Sequence, residues 1–255
     1  APSSPAAQPD LFGFFAEEDT ADAKNSILTR LEDLSYDYQL VDNKEKMAVL
    51  AEKLLAQKFF SLDTETTGID PITAELVGMS FSFAENQAFY VPVPANREEA
   101  LTIVNIFKPA FENPDSLKIG QNIKYDLIML ANYGVTLKGK MFDTMIAHYV
   151  LQPELRHGMD YLAEIYLKYE TIKIEELIGA KGKKQGNMRD LAPEAVYKYA
   201  CEDADVTLKL KQVLENELET NGVKKLFEEI EMPLVPVLAY MERNGVRIDT
   251  DALKE

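Results

Sequence analysis

The chain has 255 residues, 46% of them hydrophobic, which is enough to bury a sizeable core. One cysteine, Cys201, and two histidines, His148 and His157, exclude an intrachain disulfide, a cysteine-rich zinc site and most histidine-based metal clusters. Acidic side chains number 43 against 27 basic ones, and the formal net charge of −16 argues against a broad basic face for gripping nucleic acid.

The opening APSSPAAQPD has no basic stretch ahead of an apolar one, so it is not a signal peptide, and no apolar run reaches bilayer length. A cytoplasmic protein without a membrane partner is therefore expected. Residues 1–23, rich in Ala, Pro, Ser, Asp and Glu, read as a flexible linker. Residues 26–34 read as a short helix and 38–41 as a short strand. Asp42 and Glu45 have the spacing of a capping box, ahead of a helix with Met47, Leu50 and Leu54 on one face. Strands follow at 59–63, 76–83 and 88–93, the last two joined by a hairpin turn at 84–87, and another lies at 117–121. Helical patterns then dominate at 125–133, 143–151, 159–167 and 193–219, where Pro193 suits a first turn and Asn221-Gly222 a C-terminal stop. Strands first, then strands mixed with helices, imply an α/β layer fold with a mixed sheet. From 226 onward a separate helical pattern begins and stops abruptly; with no initiator Met at the start, the chain reads as a piece of a longer one.

Three motifs carry chemistry. In Leu62-Asp63-Thr64-Glu65-Thr66, Asp63 and Glu65 are two apart on a strand and share a face. Carboxylates that close repel unless protonated or bridged by a cation, and oxygen ligands suit Mg²⁺ or Mn²⁺ better than zinc. A polar strand end entering a loop is the plainer reading of this motif alone. In Gly120-Gln121-Asn122-Ile123-Lys124-Tyr125-Asp126, Asp126 falls in the first turn of a helix, where the helix dipole by itself favours a carboxylate. In Tyr199-Ala200-Cys201-Glu202-Asp203-Ala204-Asp205, Tyr199 and Asp203 share a face with Val196, Ala200 and Val206 around it, so that face is expected to pack inward. A carboxylate there is costly unless paired or metal-bound. Glu202 and Asp205 are expected to be solvated, and His148 to be packed rather than a ligand.

Asp-x-Glu, Asn-x-x-x-Asp and Tyr-x-x-x-Asp in that order resemble the proofreading exonucleases with four acidic residues and a tyrosine. The strings LDTETTG, IGQNIKYDLIMLANYG, FDTMIAHYVL, RHGMDYLAEIYL and YACEDADVTLKL are similar to the 3′-5′ exonuclease domain of bacterial DNA polymerase I, over roughly residues 38–249, and EMPLVPVLAYMERNGVRID is similar to the opening helix of that family's polymerase domain. After the linker at 1–23, the resemblance implies an exonuclease domain at 24–225 and the beginning of a polymerase domain at 226–255. It implies an RNase H-like core, a mixed five-stranded sheet flanked by helices. It implies catalytic roles for Asp63, Glu65, Asp126, Tyr199 and Asp203 with two divalent ions, Mg²⁺ or Mn²⁺. Asp63, Glu65 and Asp203 would hold the first ion; Asp63 would bridge to the second, where Asp126 acts through water; Tyr199 and Glu65 would orient the attacking water. The implied partners are DNA with a single-stranded or frayed 3′ end and the polymerase domain of the same parent chain. Thr64, Ile69, Gln121, Asn122, Tyr125 and Arg156 would meet the DNA end, Ile69 as a wedge against the terminal base. A second basic candidate is the glycine-rich loop with Lys181, Lys183, Lys184 and Arg189.

Two rivals stand beside this reading. An RNase D-like exoribonuclease shares the acidic pattern, and the polymerase-like tail counts against it. A catalytically silent domain supporting a polymerase keeps the fold, and the intact, crowded acids count against that. A phosphate-binding NTPase fails for want of a Gly-rich P-loop.

Overall fold

In the computed structural model, the structure describes residues 28–182 and 184–254. The linker expected at 1–23 and Lys183 lie outside the described residues. Six strands form one mixed sheet: β1 (Asp37–Leu40), β2 (Phe59–Thr66), β3 (Leu76–Ala84), β4 (Gln87–Pro92), β5 (Leu117–Gly120) and β6 (Met141–Asp143), in the order β1-β4-β3-β2-β5-β6. β2, β3 and β4 run antiparallel, while β1 on β4, and β5 and β6 beyond β2, pair parallel. Helices α1 (Lys44–Leu55), α2 (Arg97–Phe111), α3 (Ile123–Asn132), α4 (Thr144–Leu151), α5 (Met159–Leu162, continuing as a π-turn to Leu167), α6 (Ile174–Ile178) and α7 (Pro193–Thr220) surround it. Helix α8 (Lys224–Leu226) passes through a π-turn at Phe227–Glu231 into α9 (Met232–Asn244).

Alternation along the central strands decides what each face receives. One face carries Phe60, Leu62, Phe81 and Phe89, all buried, and takes the apolar sides of α1 and α2; Phe81 stacks on Phe107 at 5.4 Å. On the other face, the middle strand β3 carries only small side chains, Gly78, Ser80 and Ser82. Ser61 registers with Ser82 and Ala88, and Ser80 and Gly78 stand opposite Asp63 and Glu65. Small residues let a helix approach closely, and α7 lies here, near enough for Ser61 Oγ to donate to the Ala204 carbonyl at 2.6 Å. α7 begins on Pro193 as expected and ends on Asn221, with Gly222 in the left-handed region.

The structure departs from the sequence reading in several places. The sheet has six strands, not five, because three-residue β6 hides in front of α4; Asp143, read as helical, is the cap of that helix. α2 and α6 were not anticipated. The helix read at 26–34 reduces, among the described residues, to a single 3₁₀ turn at Leu31–Asp33, with Thr29 bridging to Tyr169 instead. The cap of α1 is Asn43, whose side chain accepts from the Lys46 amide at 3.0 Å, while Asp42 pairs with Lys46 Nζ. Glu202 and Asp205 are not solvated but fully buried. Glu202 accepts from the Tyr169 hydroxyl at 2.6 Å and the Ile172 amide at 2.7 Å, and Asp205 from Tyr38, the Asn86 amide and Lys209, each at 2.8 Å. Finally, the segment after 226 is not separate in its packing. Phe227, Met232 and Val235 join the main core, and Phe227 meets Phe142 at 4.8 Å.

Candidate active site

The C-terminal end of β2 carries Asp63 and Glu65 on the face turned toward α7, and α7 carries Asp203 toward them. One carboxylate oxygen from each of Asp63, Glu65 and Asp203 lies within 4.8 Å of the others, so these three could hold a metal ion. Glu65 Oε1 is buried with no hydrogen-bond partner, an orphaned acceptor of the kind a cation would satisfy. Hard carboxylate oxygens in that number suit a divalent ion such as Mg²⁺. Asp126, in the first turn of α3, sits beside this trio. Its carboxylate accepts from Thr64 Oγ1 at 2.6 Å, and its charge is felt at Glu65.

Without a cation these acids resist ionisation. Burial pushes the Asp63 carboxyl up to about 6. Burial, then the charges of Asp63 and Asp126, raise Glu65 well above the ordinary range; burial, then Asp63, does the same to Asp126, with Thr64 opposing. Asp203 is raised by burial and then by Asp63 and Glu65, against a hydrogen bond from Tyr199. Tyr199 lies one helical turn before Asp203; burial and that carboxylate hold its phenol far above its usual range, so it is a neutral donor.

The sequence-predicted substrate residues divide into two groups. Ile69 is 98% exposed on the loop after β2. Tyr125 supports that loop, its hydroxyl donating to the Gly68 carbonyl at 2.5 Å and meeting Thr66 Oγ1 at 2.6 Å. Asn122 is exposed, in the left-handed region, with no capping bond from its side chain. Arg156 is exposed. Thr64 and Gln121, like the Tyr125 hydroxyl, have their polar groups engaged by the protein. Gln121 donates to the His157 carbonyl at 2.8 Å and accepts from the Thr144 hydroxyl. In the 179–189 loop, Lys181 and Lys184 are exposed, whereas Arg189 donates to the Val93 and Leu76 carbonyls at 2.6 Å and is a structural tie rather than a free cation.

Two supporting residues escaped the sequence reading. Tyr90, on β4, lays its ring over Gly78, where a Cβ would come within 2.3 Å of it. Gly78 is the register partner of Glu65, so this glycine makes room for an aromatic floor beneath the acids. Asp143 accepts from the amides of Asn122 and Ile123 on one side and of Met145 and Ile146 on the other, at 2.8–3.2 Å, and so seats α3 and α4 together. An acid directly before an apolar helical run was the signal for it.

A mixed sheet that presents crowded carboxylates to a helix bearing another acid and a tyrosine defines an RNase H-like nuclease fold. Residues 38–219 match the family model described as 3′-5′ exonuclease. DNA polymerase I of Pseudomonas aeruginosa is 41% identical over 228 residues, covering 85% of this chain and 25% of that protein. DNA polymerase I of Borreliella burgdorferi is 35% identical over 248 residues, covering 96% of this chain and 27% of that protein. The fold is shared with Brucella melitensis NrnC with bound Mg²⁺, at a TM-score of 0.64 and 21% identity over 83% of this chain and 95% of that one. The chain belongs to the 3′-5′ exonuclease domain family of DNA polymerase I. It spans about a quarter of the length of the curated relatives it matches. Among the described residues no helix is long and apolar enough to cross a membrane.

Proposed function

We propose that this chain removes nucleoside 5′-monophosphates one at a time from the 3′ end of DNA, and that its residues work with two divalent ions. The observation that carries the proposal is the convergence of Asp63, Glu65 and Asp203 around a buried, unpartnered Glu65 oxygen, one helical turn from Tyr199. Asp63, Glu65 and Asp203 would hold one ion; Asp63 would also serve the second, where Asp126 would act through water. When bound, such ions polarise the attacking water, relieve charge on the phosphate and stabilise the departing 3′ oxygen. Glu65 and the neutral Tyr199 hydroxyl orient the water. Its oxygen bonds to phosphorus, the bond to the 3′ oxygen breaks, the water's surplus proton passes to solvent, and the 3′ oxygen regains one as a hydroxyl.

Exposed Ile69 parts the terminal base from its partner, Asn122 and Tyr125 line the path, and Arg156 meets a phosphate. A chain of charge −16 holds DNA weakly. In the parent protein, a polymerase domain beginning at 226 supplies most of the affinity, and the whole works in the cytoplasm.

The test is a 3′-mismatched duplex labelled at its 5′ end, incubated with Mg²⁺ or Mn²⁺ beside an EDTA control and an RNA strand of the same sequence. A metal-dependent ladder shortened singly from the 3′ end of DNA is expected, lost on Asp63→Ala or Asp203→Ala. Faster loss of the RNA would favour an exoribonuclease, and turnover near the parent's in either variant would sink the site.

A further inference from the structure

Arg156 sits in the seven-residue loop 152–158 between α4 and α5, exposed, with no ion pair among the described residues. The loop's own sequence holds it only loosely, by one turn bond from the Leu155 amide to the Gln152 carbonyl at 3.1 Å. Its side-chain ties to the rest of the fold converge on the next residue, His157. The His157 carbonyl accepts from Gln121 Nε2 at 2.8 Å, and its ring meets His148, Nδ1 to Nδ1, at 2.7 Å. The Gln121 amide cannot swing freely, because its oxygen accepts from Thr144. Gln121 joins β5 directly to α3, the helix that carries Asp126, so the loop is keyed to the same element as a catalytic acid.

His148 is fully buried on α4, and its Nε2 has no partner. A buried N–H without an acceptor is rarer and costlier than a bare lone pair. The His148 proton therefore belongs on Nδ1, where it is donated to Nδ1 of His157. Burial and the neighbouring His157 push His148 down to about 4, so it stays neutral in this role. The His148 ring also packs edge-on against Tyr161 and Tyr166, but its one side-chain hydrogen bond goes to the loop.

We propose that His148 is a positioning residue: with Gln121 it clamps His157 and so presets Arg156 for the phosphate of the incoming strand. The inference rests on the exonuclease reading of the acidic site. A side chain already ordered loses less freedom on binding, so the clamp lowers KM and leaves kcat alone.

Steady-state cleavage of a short single-stranded DNA with Mg²⁺ tests this in His148→Leu, His148→Asn, Arg156→Ala and the His148→Leu/Arg156→Ala pair. Leucine fills the site without a polar atom; asparagine returns one near the place of Nδ1. Expected are a KM raised about fivefold in His148→Leu, with kcat within about twofold. His148→Asn should recover most of it, and the pair should be no worse than Arg156→Ala. If His148→Leu does not fold by thermal melt, His157→Leu removes the same bond from the exposed side and takes its place. An unchanged KM in His148→Leu or in Arg156→Ala, effects that add in the pair, or a fall confined to kcat would overturn the clamp alone. A parent chain that cuts no DNA would overturn the exonuclease reading and the clamp with it.

Discussion

Asp63, Glu65 and Asp203 are held together by the strand and helix that carry them, against their own repulsion, and that strain has measurable consequences. Each carboxyl titrates higher in the folded chain than in the unfolded one. As pH rises from roughly 4, the unfolded chain loses protons that the folded chain still holds, so metal-free stability falls with rising pH. The decline runs through about pH 6 for Asp63 and continues above it for Glu65, Asp126 and Asp203. A divalent ion offsets this cost, so the rise in melting temperature on exchanging EDTA for Mg²⁺ should be larger at pH 7.5 than at pH 5; equal rises would contradict the coupling. By the same logic Asp203→Asn should abolish cleavage and yet stabilise the metal-free protein at neutral pH, because it removes a carboxylate that burial and the charges of Asp63 and Glu65 disfavour. Thermal melts in EDTA check this, and a destabilised variant would mean that the Tyr199 hydrogen bond outweighs the repulsion.

Among the elements, α3 depends on a residue it does not contain. Its Ncap, Asn122, is left-handed and gives no side-chain cap; Asp143 at the end of β6 receives the first amides instead, along with those of α4. Replacing Asp143 with Ala strips the cap from two helices and leaves buried amides unpaired, a loss of about 2–4 kcal/mol. Urea unfolding should register it, and activity should fall as well, since α3 places Asp126. The sequence displays the acid motifs plainly because two-residue spacing on a strand and four-residue spacing on a helix determine which side chains share a face. Its long apolar strands are equally legible. β6 is not, being three residues long and continuous with a helical pattern. α2 has a cap in Asn96 and apolar residues Ala100, Val104, Phe107 and Phe111 at helical spacing, but Pro109 masks the pattern. Glu202 and Asp205 mislead because α7 is enclosed on more than one side, by β1 and by the segment at 169–172, so a polar residue off the core face need not face water. The Tyr90–Gly78 contact depends on which strands are neighbours, information that one strand's sequence does not contain.

At the scale of the whole molecule, the sequence similarity and the packing draw the boundary in different places. Residues from 220 onward lie past the stretch that matches the exonuclease family, yet Phe227, Met232, Val235 and Ala239 are buried, and Glu242 of α9 pairs with Lys124 on the helix that carries Asp126. The opposite side of α9 is exposed, with Leu234, Val237, Leu238 and Met241. α9 thus packs one face on the exonuclease core and leaves the other open. Full burial of a large apolar side chain stabilises a fold by about 1.5–3 kcal/mol, so losing three of them removes roughly 5–9 kcal/mol. A whole domain is stable by only about 5–15 kcal/mol. A chain ending at 225 should therefore melt far below the parent or fail to fold cooperatively, whereas one ending at 245, just past α9, should melt within a few degrees of it. Circular-dichroism melts of the two truncations decide the matter. If the chain ending at 225 melted like the parent, the exonuclease core would be complete without α9, and the Lys124–Glu242 contact would be a surface pair of little weight. If it collapsed, α3 and its Asp126 would be shown to lean on a helix that lies beyond the family match, and any movement of that helix would be felt at the acids.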